Sequence, residues 1–198
     1  YEKKGMKTMV GKRYPNCVKK EEVQLEDMGK ISHTKTKKGG KTIINVNPND
    51  ESDAQTVDNV DYHHLVISGG ATKSLSNTTN VGGDLTVTAA STVLAVGSNT
   101  IDVNGTTAIS SSGTVTVSTG TFDADGTMNC TANFTFTGAG ALNLSNTVTD
   151  LGTFTKSTGT VTYDGGAQNV LADDYYNLVI DQSGNKTVQG AVNVANDM

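Results

Sequence analysis

Tryptophan is absent from these 198 residues, and aromatic side chains make up 5%. Apolar residues reach only 35%, a thin supply of bulky material for the core of a globular enzyme. Proline occurs twice, at Pro15 and Pro48, so no strand after residue 48 loses a ladder hydrogen bond to an imino ring. Cysteine also occurs twice, at Cys17 and Cys130. Two distant cysteines make neither a disulfide framework nor a CxxC metal site. No apolar run approaches the ~18–20 residues that span a bilayer, and no secretory signal pattern is visible.

Cations are scarce beyond residue 41. Residues 42–198 hold three Lys and fifteen acids, a net charge of −12. Residues 1–41 hold the other twelve Lys and Arg against five acids, a net +7. The segment "EKKGMKTMVGKRYPNCVKKEEVQLEDMGK" has dense charge and poor apolar periodicity, and Pro15 interrupts any helix through it. It reads as a basic, partly disordered arm, residues 1–41. Residues 42–60, with "NVNPNDESDAQTVDNV", read as a polar linker.

What is abundant from residue 61 to 198 is alternation. Leu85-Thr86-Val87, Ile101-Asp102-Val103, Val115-Thr116-Val117, Phe134-Thr135-Phe136, Leu142-Asn143-Leu144 and Val161-Thr162-Tyr163 put successive side chains on opposite faces of a strand. Gly, Ser and Asn turns separate them.

The chain also repeats itself. Residues 61–85 align without gaps on 174–198, pairing Asp61 with Asp174, Tyr62 with Tyr175, Leu65-Val66-Ile67 with Leu178-Val179-Ile180, Lys73 with Lys186 and Asn80 with Asn193. A shorter echo places "SSGTVTV" (111–117) on "STGTVTY" (157–163). Read as five coils of about 22.6 residues and two of about 23, the two offsets both suit a solenoid.

The expectation is an all-β fold, a parallel β-solenoid (β-helix) of about six coils over 61–198, with strands in three tracks. The first holds Leu65, Leu85, Ile109, Phe134, Phe154 and Leu178. The second holds Leu75, Leu94, Val115, Leu142, Val161 and Val188. The third holds Val81, Ile101, Phe122, Val148, Val170 and Val194. Antiparallel β-sandwich repeats of about 100 residues are the alternative. Met198 aligns with Leu85, where a strand begins. The reading is therefore of a repeat region incomplete at its C-terminus, with an open coil end that contacts itself or a neighbouring subunit.

Chemistry-bearing motifs are few. His63-His64 on a strand would point to opposite faces, and their counterparts in the echo are Tyr176 and Asn177, so no metal site is expected. "DADGT", Asp123 to Thr127, opens like a calcium loop, but its twelfth position is Phe134, so an Asp-Gly turn is expected. Asp164 and Asp173-Asp174 lack a legible cleft partner for sugar cleavage. Asn-x-Ser/Thr at Asn77, Asn104, Asn129, Asn133, Asn143 and Asn185 follows from composition. No nucleophile, phosphate-loop or zinc-protease signature occurs. No catalytic, cofactor-binding or metal residue is assigned, and the chain reads as no enzyme. The arm lacks a nucleic-acid module and carries Glu21, Glu22, Glu26 and Asp27, so nucleic acid is not the expected partner.

Two resemblances add to this. "YYNLVIDQSGNKTV" and "GTVTYDGGAQNV" (Gly159 to Val170) resemble repeats of bacterial adhesin-like surface or secreted β-solenoid proteins. "GMKTMVGKRYPNCVKKEE" (Gly5 to Glu22) is similar to a short stretch of marine tailed-phage structural proteins. Together they imply an extracellular or virion-surface structural protein, tail-fibre-like or a stalk, attaching to surfaces or polysaccharide. They carry over no catalytic residue. The enzyme alternative is a tailspike-like polysaccharide depolymerase, which requires acids such as Asp123, Asp150 and Asp173 to converge.

Overall fold

The computed structural model describes residues 34–38, 41–46 and 54–196. The arm's other residues, Cys17 and His33 among them, lie outside the described residues. No helix occurs among the described residues.

Two strands come first, β1 (Thr34–Lys38) and β2 (Lys41–Val46), followed by β3 (Gln55–Val57). Next come β4 (His64–Ile67), β5 (Thr72–Leu75), β6 (Thr79–Val81), β7 (Leu85–Val87), β8 (Val93–Gly97) and β9 (Thr100–Val103). The middle of the chain forms β10 (Thr107–Ile109), β11 (Thr114–Val117), β12 (Thr121–Ala124), β13 (Met128–Cys130), β14 (Asn133–Phe136) and β15 (Ala141–Leu144). Then follow β16 (Val148–Asp150), β17 (Thr153–Thr155), β18 (Thr160–Tyr163), β19 (Gln168–Val170), β20 (Asp174–Tyr175), β21 (Asn177–Ile180), β22 (Lys186–Val188) and β23 (Asn193–Val194).

Every third strand pairs in parallel. Sheet A runs β2-β4-β7-β10-β13-β16, sheet B runs β3-β5-β8-β11-β14-β17, and sheet C runs β6-β9-β12-β15-β18-β21. The chain is thus a parallel β-solenoid of about seven turns, close to the six coils expected. At the N-terminal edge of sheet A, β1 pairs antiparallel with β2. β1 and Lys41 of β2 fall inside the segment that reads as the arm, the rest of β2 and all of β3 inside the one that reads as a linker, and β2 already pairs in register with β4.

Alternation explains the core. In β11 the burial pattern places Val115 and Val117 inside and Thr114 and Thr116 outside, and most strands repeat this. Stacked rungs bury Leu65, Leu85, Leu94, Ile101, Val115, Phe122, Phe134 and Leu142 at 0% exposure. Aromatic side chains stack along the axis, Phe122 on Phe134, Phe134 on Phe154, and Phe154 on Tyr175, at ring separations of 5.6, 6.2 and 5.9 Å. With so narrow a cross-section a tryptophan would find little room. At the corner after sheet C, Gly83, Gly105 and Gly126 stack on one another, and a Cβ on Gly126 would run into the carbonyl of Gly105. Three short inward-facing strands per turn thus replace a thick layered core.

The first three members of each expected track lie in one sheet: Leu65, Leu85 and Ile109 in A, Leu75, Leu94 and Val115 in B, Val81, Ile101 and Phe122 in C. Beyond Phe122 the assignment shifts by one sheet, and at Leu178, which lies in C rather than A, by two. Phe134 and Phe154 lie in B, Leu142 and Val161 in C, and Val148 in A. The cause is β13. Met128-Asn129-Cys130 is a sheet A strand with both apolar side chains at 0% exposure, yet neither residue is β-branched or aromatic.

Register partners on adjacent rungs, such as Leu65 with Leu85 or Thr160 with Asn177, lie closer in sequence than the coil length read from the echoes. The longer echo therefore does not span five turns. It carries β4 onto β21, seventeen strands later, which is five turns and two strands. The shorter echo carries β11 onto β18, seven strands later. The two echoes share nearly the same mean spacing per strand, and each moves its sequence to a different sheet.

Candidate binding faces

The outward residues form rows across rungs, spaced ~4.8 Å apart as neighbouring strands require. On sheet B one row reads Thr56, Ser74, Ala95, Thr116, Thr135, Thr155. On sheet C a row reads Asn80, Asp102, Asp123, Asn143, Thr162, Val179. Sheet A presents Val66, Thr86, Ala108 and Asn129 in the equivalent row. Parallel register places these side chains beside one another on successive rungs.

Sheet C concentrates negative charge. Asp102 and Asp123 are direct register partners, and burial raises the pKa of both carboxyls. For Asp102 the neighbouring Asp125 adds to the rise; for Asp123 the further acids are Asp125, Asp102 and Asp164, partly offset by a hydrogen bond with Asn143. One carboxylate oxygen of Asp102 is buried without a hydrogen-bond partner. Asp164 accepts from the Ser145 hydroxyl at 2.8 Å.

A second acidic group lies near β16 and β20. Burial raises the pKa of Asp173, its own hydrogen bond to the Asp174 amide lowers it, and Asp174 and Asp150 raise it against the pull of Lys156. Asp150 and Asp173 thus share one corner, while Asp123 sits on sheet C. The three acids that a depolymerase reading brings together do not converge.

His63 and His64 depart from the opposite-face expectation. His63 precedes β4 and occupies the corner, so its ring turns back to lie 4.3 Å from that of His64. The Asp84 amide donates to Nδ1 of His64 at 2.8 Å, and the Asp84 carboxylate accepts from the Thr106 amide. This network ties three successive corners together. Among the described residues no group of three or more His, Cys, Asp or Glu is arranged to hold a metal ion. Asp123 and Ala124 belong to β12, and Asp125-Gly126 forms the following corner. Cys130 is buried and free, its thiol pushed up to about 11 by burial.

The echoed Tyr and Asn make the same bonds in both copies, and the echoed Lys reaches backbone carbonyls in each. Tyr62 donates to the Asp58 carbonyl and Tyr175 to the Leu171 carbonyl, each four residues back, at 2.9 and 3.0 Å. Asn80 donates to Asp61 and Asn193 to Asp174. Lys73 donates to the Gly70 carbonyl at 2.8 Å, and Lys186 donates to the carbonyls of Gly165, Gly166 and Asp181. A lysine that gathers corner carbonyls is a structural device the alternation did not announce; only the repetition of the Lys pointed to it. Comparison with family models, curated proteins and solved structures gives no match for this chain.

Proposed function

We propose that this chain is a non-enzymatic structural and adhesive rod. Its place is a virion appendage of tail-fibre kind or an extracellular stalk, on the virion surface or outside the cell. The observation that supports this most is the pair of outward polar rows on sheets B and C, carried on six-stranded ladders. Rows of Thr, Ser, Asn and Asp spaced ~4.8 Å apart, broken only at Ala95 and at Val179, offer a chain-like ligand repeated hydrogen bonds. Each is weak, and avidity supplies strength. The partner class that fits is a cell-surface polysaccharide, with a neighbouring subunit at the end of the stack.

The test is retention of the chain on immobilised surface polysaccharides. Wild type binds, and a variant with Thr116→Ala, Thr135→Ala and Thr155→Ala binds at least tenfold more weakly while its far-ultraviolet circular dichroism is unchanged. Equal binding by the triple variant overturns the assignment of that row. Release of new reducing ends from the polysaccharide overturns the non-enzymatic reading.

A further inference from the structure

The outward threonines of this chain fall into two kinds. Some turn their hydroxyls back onto the rung before: Thr131 donates to the Ile109 carbonyl, Thr137 to that of Val117 and Thr149 to that of Met128, at 3.4, 3.4 and 3.2 Å. On the outside of sheet B they do not. The hydroxyls of Thr116, Thr135, Thr153 and Thr155 make no hydrogen bond among the described residues. These are donors and acceptors that the fold leaves to solvent or to a ligand.

They belong to a two-row array. Register places Thr114, Asn133 and Thr153 beside one another on β11, β14 and β17, and Thr116, Thr135 and Thr155 beside one another in the second row. Asn133 donates to the Thr114 hydroxyl at 3.4 Å, which leaves that hydroxyl free to donate outward. One rung earlier, Val93 and Ala95 of β8 interrupt both rows, and Thr72 and Ser74 of β5 resume them.

No residue of this array is charged, whereas the equivalent row of sheet C holds Asp102 and Asp123. Residues 42–198 carry a net −12, a field that repels a polyanion. The array itself offers a polycation nothing to pair with. Direction follows from spacing. Across the sheet each strand gives two outward side chains ~7 Å apart, and along the axis the rungs follow every ~4.8 Å. The axial spacing is close to the length that one pyranose unit adds to an extended chain. Only a ligand lying along the axis meets all three rungs.

We propose that sheet B binds an uncharged polysaccharide whose chain runs along the solenoid axis over β11, β14 and β17. The inference rests on reading the chain as an adhesive rod, and it names the charge class and the direction of that rod's ligand.

The experiment is calorimetric titration of the full chain with gluco-, manno- and galacto-oligosaccharides, from disaccharide to hexasaccharide, and with oligouronates of the same lengths. The readout is the affinity lost between wild type and the double variant Thr114→Val with Thr153→Val, which keeps side-chain shape and isolates sheet B from the basic residues 1–41. At least one neutral series should bind more tightly with each added unit until the array is filled, and the variant should lose tenfold or more. Oligouronates should lose nothing. A second variant, Val93→Thr with Ala95→Thr, joins the array to Thr72 and Ser74 and should carry the gain in affinity on to longer oligomers. Unchanged circular dichroism marks both variants as folded. Absence of binding by every neutral series overturns the proposal. So does affinity independent of length, or an equal loss for oligouronates. Retention on immobilised polysaccharide separates the two readings: a chain that is retained without length dependence keeps the adhesive rod and loses the axial row, and a chain that is not retained loses both.

Discussion

Residues 61–83 and 174–196 test what a sequence can and cannot dictate in a solenoid. The side-chain bonds of Tyr62 and Asn80 recur at Tyr175 and Asn193, and Lys73 and Lys186 both donate to backbone carbonyls, though of different residues. The burial does not recur, and neither does the sheet: β4 lies in A and its copy β21 in C. Local sequence sets the strand, its inward face and its corner. The neighbours above and below set how much that inward face stabilises.

The largest difference is expected for one substitution made in both places. Ile67→Ala should cost about 2–5 kcal/mol, the range for deleting a fully buried aliphatic chain. Ile180→Ala, already half in water, should cost less than ~1 kcal/mol at protein concentrations too low for self-association. Urea unfolding of the two variants measures this, and equal costs would mean that the last rung is as tightly covered as the first.

The tyrosines should reverse that order. Tyr175 donates to Leu171 and receives the hydroxyl of Tyr163, which in turn accepts from the Leu171 amide. Tyr175→Phe strands a buried hydroxyl, at about 1–3 kcal/mol. Tyr62 donates only to the Asp58 carbonyl, on an exposed residue, so Tyr62→Phe should cost ~0.5–1 kcal/mol. Thermal melts of both variants provide the check.

Between the copies, Thr107 faces the core at 0% exposure with its hydroxyl unpartnered. Thr107→Val keeps the shape and removes the desolvated oxygen, for a gain of about 1 kcal/mol. A stability no higher than wild type in the same melts would mean that the hydroxyl has a partner.

Asp123 gives the smallest effect and a pH signature. Its pKa is raised in the folded chain, so its contribution to stability is whole below the ordinary value of about 4 and is lost as pH rises through the raised value. Asp123→Asn removes that loss and relieves the like charge on the neighbouring rung. It should stabilise by a few tenths to about 1 kcal/mol at pH 7 and by nothing at pH 3. Denaturation at the two pH values decides it; a gain that persists at pH 3 would assign the effect to something other than charge.

The alternation of Val115-Thr116-Val117 and its kin made the strands legible, and the echoes made the stacking legible. Sheet membership was legible only as far as Phe122. A three-residue strand built of Met and Cys satisfies the same inside-outside rule as one built of Val, but β-propensity gives it no weight. Missing it shifts the strands that follow by one sheet, and missing the two-residue strand β20 moves Leu178 by a second. The polar rows could be anticipated from the Thr and Asn between apolar residues, whereas the pairing of Asp102 with Asp123 needed the register. The contact of His63 with His64 needed the corner, because the two-residue period of a strand does not extend past its end.

Seventeen is not a multiple of three. A motif that recurs seventeen strands later returns one side of a triangular prism short of a whole turn, as a screw thread does. The surface pair Asp61–Asn80 borders sheet C, and its copy Asp174–Asn193 belongs to the small sheet formed by β20 and β23. The two copies of the pair therefore face different compass directions around the axis. A rod patterned in that way has no single side on which its repeated pairs line up.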